Sequence, residues 1–89
     1  MRNITTDPQY LYLEIGGDDI DGLDKDLASL VGGTKSVTLE ISRFKRLDDV
    51  VVRSFLAAKK VVESAGAEFV LSGVEEPVVL KALINAKLL

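Results

Sequence analysis

Apolar positions along the chain switch between a period near two and a period near 3.6. Tyr10-Leu11-Tyr12-Leu13-Glu14-Ile15 is aromatic and aliphatic in the first manner, which predicts a strand over 10–15 stopped by Gly16-Gly17. Leu23, Leu27, Leu30 and Val31 then recur at spacings of four, three and one, the face of a short helix, with Asp21 placed to cap it and Gly32-Gly33 to end it. Ser36-Val37-Thr38-Leu39-Glu40-Ile41 alternates polar and apolar and predicts a strand over 36–41. After the basic segment Arg43-Phe44-Lys45-Arg46 comes a long helix from about 48 to 65, with Gly66 as its stop. Leu47, Val51, Ser54, Phe55, Ala58, Val62 and Ala65 form one stripe of that helix, so Ser54 is expected to be buried. Glu68-Phe69-Val70-Leu71 reads as a short buried strand, Ser72-Gly73 as a turn, and Pro77 as the first residue of a last helix carrying Val79, Leu80, Leu83 and Ile84.

The order strand, helix, strand, helix, strand, helix predicts an α/β fold, a sheet with parallel crossovers covered by helices. The core expected from these patterns is Leu13, Ile15, Leu27, Leu39, Ile41, Val51, Phe55, Ala58, Val62, Val70, Leu80 and Leu83. The residues before Tyr10 form a short segment ended by Asp7-Pro8, to which no element is assigned.

Composition narrows the function classes. At 89 residues, the chain is expected to be one domain spanning 1–89. A compact chain of this size buries roughly 60–70% of its extended surface, enough for one core. With no cysteine it has neither disulfides nor a thiol nucleophile, and with no histidine it lacks the commonest general base and zinc ligand. No enzyme is expected. Residues 1–40 hold three bases and eight acids, whereas residues 41–89 hold eight bases and six acids. Neither half is basic enough for nucleic acid to be the partner, and RNA-binding aromatic motifs are missing. Apolar runs are a few residues long, against about twenty for a membrane span, and Met1 to Thr6 carries no apolar signal core. A cytoplasmic protein without direct membrane insertion is expected.

Three clusters suggest chemistry. Asp18, Asp19, Asp21, Asp24 and Asp26 invite a calcium loop, but with Gly22 at the sixth position the first and twelfth positions fall on Gly17 and Ala28, neither a ligand. No metal is expected. Gly16-Gly17 and Gly32-Gly33 lack the Gly-Lys-Ser/Thr of a phosphate loop, so no nucleotide cofactor is implied. Asp48 and Asp49 open the long helix beside Arg43 and Arg46. They could serve acid–base chemistry, but capping and the helix dipole account for them more simply.

From Ser36 onward the chain resembles the STAS domain, the fold of bacterial anti-sigma factor antagonists. The matching residues are Val37-Thr38-Leu39-Glu40-Ile41-Ser42, then Phe44 and Leu47-Asp48, a long helix closing in Glu63-Ser64-Ala65-Gly66, and Ala67-Glu68-Phe69-Val70-Leu71-Ser72-Gly73-Val74 before the last helix. Upstream, Gly17-Asp18-Asp19-Ile20-Asp21 resembles the family's Gly-Glu-Leu-Asp entry to its first helix. The resemblance implies a small mixed sheet with helices packed on it. It also implies a non-enzymatic role in signalling and transcription regulation in bacteria, without a cofactor. The implied partner is an anti-sigma factor kinase or, as the alternative, the ATPase of a bacterial phospholipid ABC transporter.

The departures are at the switch. The family's phosphorylated hydroxyl, two residues after the Asp matched by Asp48, falls on Val50, its neighbour on Asp49 and the following glycine on Val51. No phosphorylation is therefore expected there, and Asp49 is left as a fixed negative charge beside a docking surface. Val52 and Leu56 fall away from the apolar stripe among charged residues. With Asp48, Asp49, Val50 and Arg53 they are expected to contact the partner or a second copy of the chain.

Overall fold

The computed structural model describes residues 3–6 and 9–89, the first four in their backbone alone. The predicted strands appear as β2 (Tyr10–Glu14), β3 (Ser36–Glu40) and β4 (Glu68–Ser72), and the helices as α1 (Leu23–Leu30), α2 (Asp49–Ser64) and α3 (Pro77–Asn85). One strand was not anticipated: β1 (Asn3–Thr6) pairs antiparallel with β2. It is a single four-residue strand of mostly polar side chains, with no apolar alternation to mark it. The sheet order is β1-β2-β3-β4, with β2, β3 and β4 parallel, so the sheet is mixed.

Register explains the core. Leu11, Val37 and Phe69 lie side by side across the three parallel strands, as do Leu13, Leu39 and Leu71 in the next inward row. Leu23 and Leu27 of α1, Phe55, Ala58 and Val62 of α2, and Val79 and Leu83 of α3 are buried with these rows in one cluster. Of the expected core, Leu13, Ile15, Leu27, Leu39, Ile41, Phe55, Ala58, Val62 and Leu83 are buried. Val70 is a correction: a strand alternates its faces, so it shares the outer row with Tyr12 and Thr38 and is only half-buried. Leu80 is another, 43% exposed. The α3 seat is set by Val79 and Leu83, and a helix turns about 100° between Val79 and the next residue. Val51 is half-buried at the edge of the stripe and Ala65 is exposed.

Phe44, placed by its neighbours in a basic loop, is buried and meets Phe55 edge-to-face, ring centroids 5.6 Å apart. The loop is thus pinned from within while Arg43, Lys45 and Arg46 stay exposed. The cap of α1 is Gly22, at φ 74°, rather than Asp21. Gly73 is more tightly constrained. It has φ 75°, and a Cβ on it would collide with the Glu40 carboxylate, which accepts the Ser42 N–H at 2.7 Å. No helix among the described residues is long and apolar enough to cross a membrane.

Candidate functional site: a groove between two helices

The start of α2 is built by Asp48, whose side chain accepts the Val51 N–H at 2.9 Å. That satisfies one of the orphan donors of the first turn and fixes where the helix begins. Val50 follows at the second helical position and is 65% exposed, the most exposed large hydrophobic residue of the described chain. Ser54 and Ala57 lie one and two turns on along the same flank, at the i+4 and i+7 spacings.

This flank faces α1 and the segment before it. Between it and the segment leading into α1 lies an open groove of about 670 Å³, lined on one side by Asp48, Val50, Arg53, Ser54 and Ala57. On the other side are Gly17, Ile20, Asp21, Gly22 and Asp24, with Val51 at the back. A 3-10 turn over Gly17–Asp19 shapes that second wall. The turn is held by Asp19, a buried carboxylate that accepts the Gly16 N–H at 2.8 Å. Gly16 itself lies under Arg43, whose Cδ would stand 3.2 Å from a Cβ at that position. Ile20 is buried, so the groove combines an apolar interior with carboxylates of Asp21, Asp24 and Asp48 and the single cation of Arg53 at its rim.

The expected contact residues divide between two flanks of α2. Asp48, Val50 and Arg53 line the groove. Val52 and Leu56 do not. At about 100° per residue they point well over a quarter-turn from the groove flank, toward the side of Lys59. Leu56 is exposed as expected, but Val52 is half-buried and packs on the core cluster, a correction to its place on a charged face. Asp49 is exposed on the outward ridge with Leu56. Ser54, expected to be buried, is half-buried in the groove wall. The second wall lies almost wholly in the acidic segment 18–26, outside the expected contact residues on α2 and next in line to them as a contact surface.

What the groove can do chemically is limited. Arg43 and Arg46 are not among its lining residues, and Asp48 is engaged as a cap. Among the described residues no group of three or more acidic side chains is arranged to hold a metal ion. The arrangement suits recognition of an apolar side chain flanked by polar groups.

Comparison with known proteins supports the fold. No protein-family model matches the chain, and no curated protein does. Among solved structures it is similar to a Ser-to-Glu variant of RsbS from Moorella thermoacetica, with a TM-score of 0.80 at 21% identity, over 96% of this chain and 76% of that one. The chain therefore has the STAS fold that its strand and turn pattern resembles, with the strand-helix alternation in the expected order.

Proposed function

We propose that the chain is a non-enzymatic interaction module, an anti-sigma-factor-antagonist-like regulator that binds a protein partner at the start of α2 and in the groove beside it. The observation that carries this reading is the position of Val50: an exposed aliphatic at the mouth of an open, partly apolar groove, at the residue where the family resemblance places the phosphorylated hydroxyl. Similarity of fold to RsbS supports it. A valine accepts no phosphate, so binding here is not switched at that residue. Asp49, exposed at the first helical position, supplies a constant negative charge in its place. Lack of histidine and cysteine supports a binding role over catalysis.

The test is titration calorimetry of the purified chain against an anti-sigma factor kinase encoded beside it. Val50→Asp and Ala57→Arg should each weaken binding tenfold or more, about 1.4 kcal/mol, with the fold retained by circular dichroism. Tight binding unaffected by both variants would place the contact elsewhere. Binding to a transporter ATPase, and not to the kinase, would replace the partner while leaving the surface.

A further inference from the structure

The β4 end of the molecule carries a second surface. β4 is an edge strand, bonded to β3 on one side. The Glu68 N–H donates to the Lys35 carbonyl at 2.9 Å, and the Ser72 carbonyl accepts the Ile41 N–H at 2.9 Å. Glu68, Val70 and Ser72 therefore turn their backbone groups toward β3. By the alternation of a strand, Phe69 and Leu71 turn theirs to the open edge.

The helix layer ends at the same place. α1 packs on α2 at its groove flank. On the opposite flank of α2, Lys59 Nζ reaches the Lys87 carbonyl just past α3, at 3.5 Å. α1 and the end of α3 thus lie on opposite flanks of α2, which itself packs against β4, and α3 is the outer helix at that end of the sheet. Val79 and Leu83 seat it, while Val78, Leu80 and Ile84 are about half exposed, at 55%, 43% and 53%. Three of the eight large hydrophobics exposed among the described residues therefore lie in α3.

We propose that this end is an interface between two copies of the chain, formed by antiparallel pairing of β4 with β4 about a two-fold axis through Val70. A second copy is the occupant because the strand is self-complementary in that register. Phe69 of each copy falls opposite Leu71 of the other, and these are the residues whose N–H and C=O groups face the edge, giving two hydrogen bonds at each of two sites. Glu68 falls opposite Ser72, so no like charges meet. Val70 meets Val70 on the outer face, as a pair without hydrogen bonds of its own. An axis perpendicular to the sheet keeps both helix layers on one side, so the two α3 helices face each other and cover Leu80 and Ile84. A strand pair alone falls short of the roughly 800 Å² per partner typical of stable complexes, and the exposed flank of α3 adds to it. The interface is isologous and closed, and it leaves the α1–α2 groove open at the far side of α2.

The chain has no cysteine, so a single one can report on the axis. A pair without hydrogen bonds holds its Cα atoms about 4.5 Å apart, within disulfide reach. Under mild oxidation Val70→Cys should form a covalent dimer at least tenfold faster than Glu63→Cys, an exposed site on α2. Unmodified chain should sediment as a dimer at tens of micromolar, roughly the range of a modest interface. Leu80→Lys with Ile84→Lys should render it monomeric with unchanged circular dichroism. The proposal is overturned if the unmodified chain stays monomeric and Val70→Cys cross-links no faster than Glu63→Cys. It is equally overturned if a dimer persists in the double lysine variant while Val70→Cys fails to cross-link. Both results are independent of kinase binding.

Discussion

At residue scale the fold rests on a few side chains with distinct duties. Phe55 is fully buried between the sheet and Phe44. Phe55→Ala should cost roughly 3–5 kcal/mol by the precedent of large-to-small core changes, read as a lowered denaturation midpoint. Asp48→Ala removes the α2 cap and should cost about 1 kcal/mol in the same measurement. Tyr12, half-buried on the outer sheet face, has its hydroxyl pushed above the usual tyrosine range, first by partial burial and then by the charges of Glu40 and Glu14. The folded chain holds this proton more tightly than the unfolded chain, whose tyrosine titrates near 10.0. The stabilisation is complete below that pH and is lost as pH rises from the unfolded value through the folded one. As pH rises above the unfolded value of 10.0, the denaturant midpoint should fall more steeply for the native chain than for Tyr12→Phe. Equal slopes would show that Tyr12 contributes nothing to the pH dependence.

At element scale, what the sequence revealed follows from what sets each pattern. Strands covered by helices on one face declare themselves by alternation, as in Val37, Leu39 and Ile41, and long helices by their stripe, as in Phe55, Ala58 and Val62. Val70 and Leu80 were misplaced because each stands in a run of apolar residues, where hydrophobicity no longer says which side faces in. The register with β3 decides it for Val70, and the seating of Val79 and Leu83 decides it for Leu80. The site was half legible for a related reason. Local spacing shows a helix flank, but the opposing wall of Ile20, Asp21 and Asp24 comes from 24 or more residues away in the chain. On α2, Leu56→Ser should change stability by less than about 0.5 kcal/mol. Val52→Ser, which removes part of a core contact, should cost about 1 kcal/mol or more. Thermal melts of the two single variants check the difference.

At the scale of the whole molecule, the uneven charge acquires a place. The groove has Asp21 and Asp24 from the acidic first part of the chain on one wall and Arg53 from the more basic second part on the other. The carboxylates outnumber the cation, so a partner docking there should present basic groups, and its association rate should fall as salt is raised. A stopped-flow series in sodium chloride measures this, and a rate independent of salt would assign the contact to the apolar groups alone.

The order of strands in the sheet, β1-β2-β3-β4, is also their order in the chain. A chain leaving the ribosome from its N-terminus can therefore lay each new strand against one already made, and no strand has to wait for a later one to be inserted beside it. β4 and α3, made after the other elements described, carry the surface proposed for pairing two copies. Neighbouring nascent chains on one message would then lack that surface until β1 to β3, α1 and α2 of each had emerged, so pairing would follow the making of those elements instead of interrupting it.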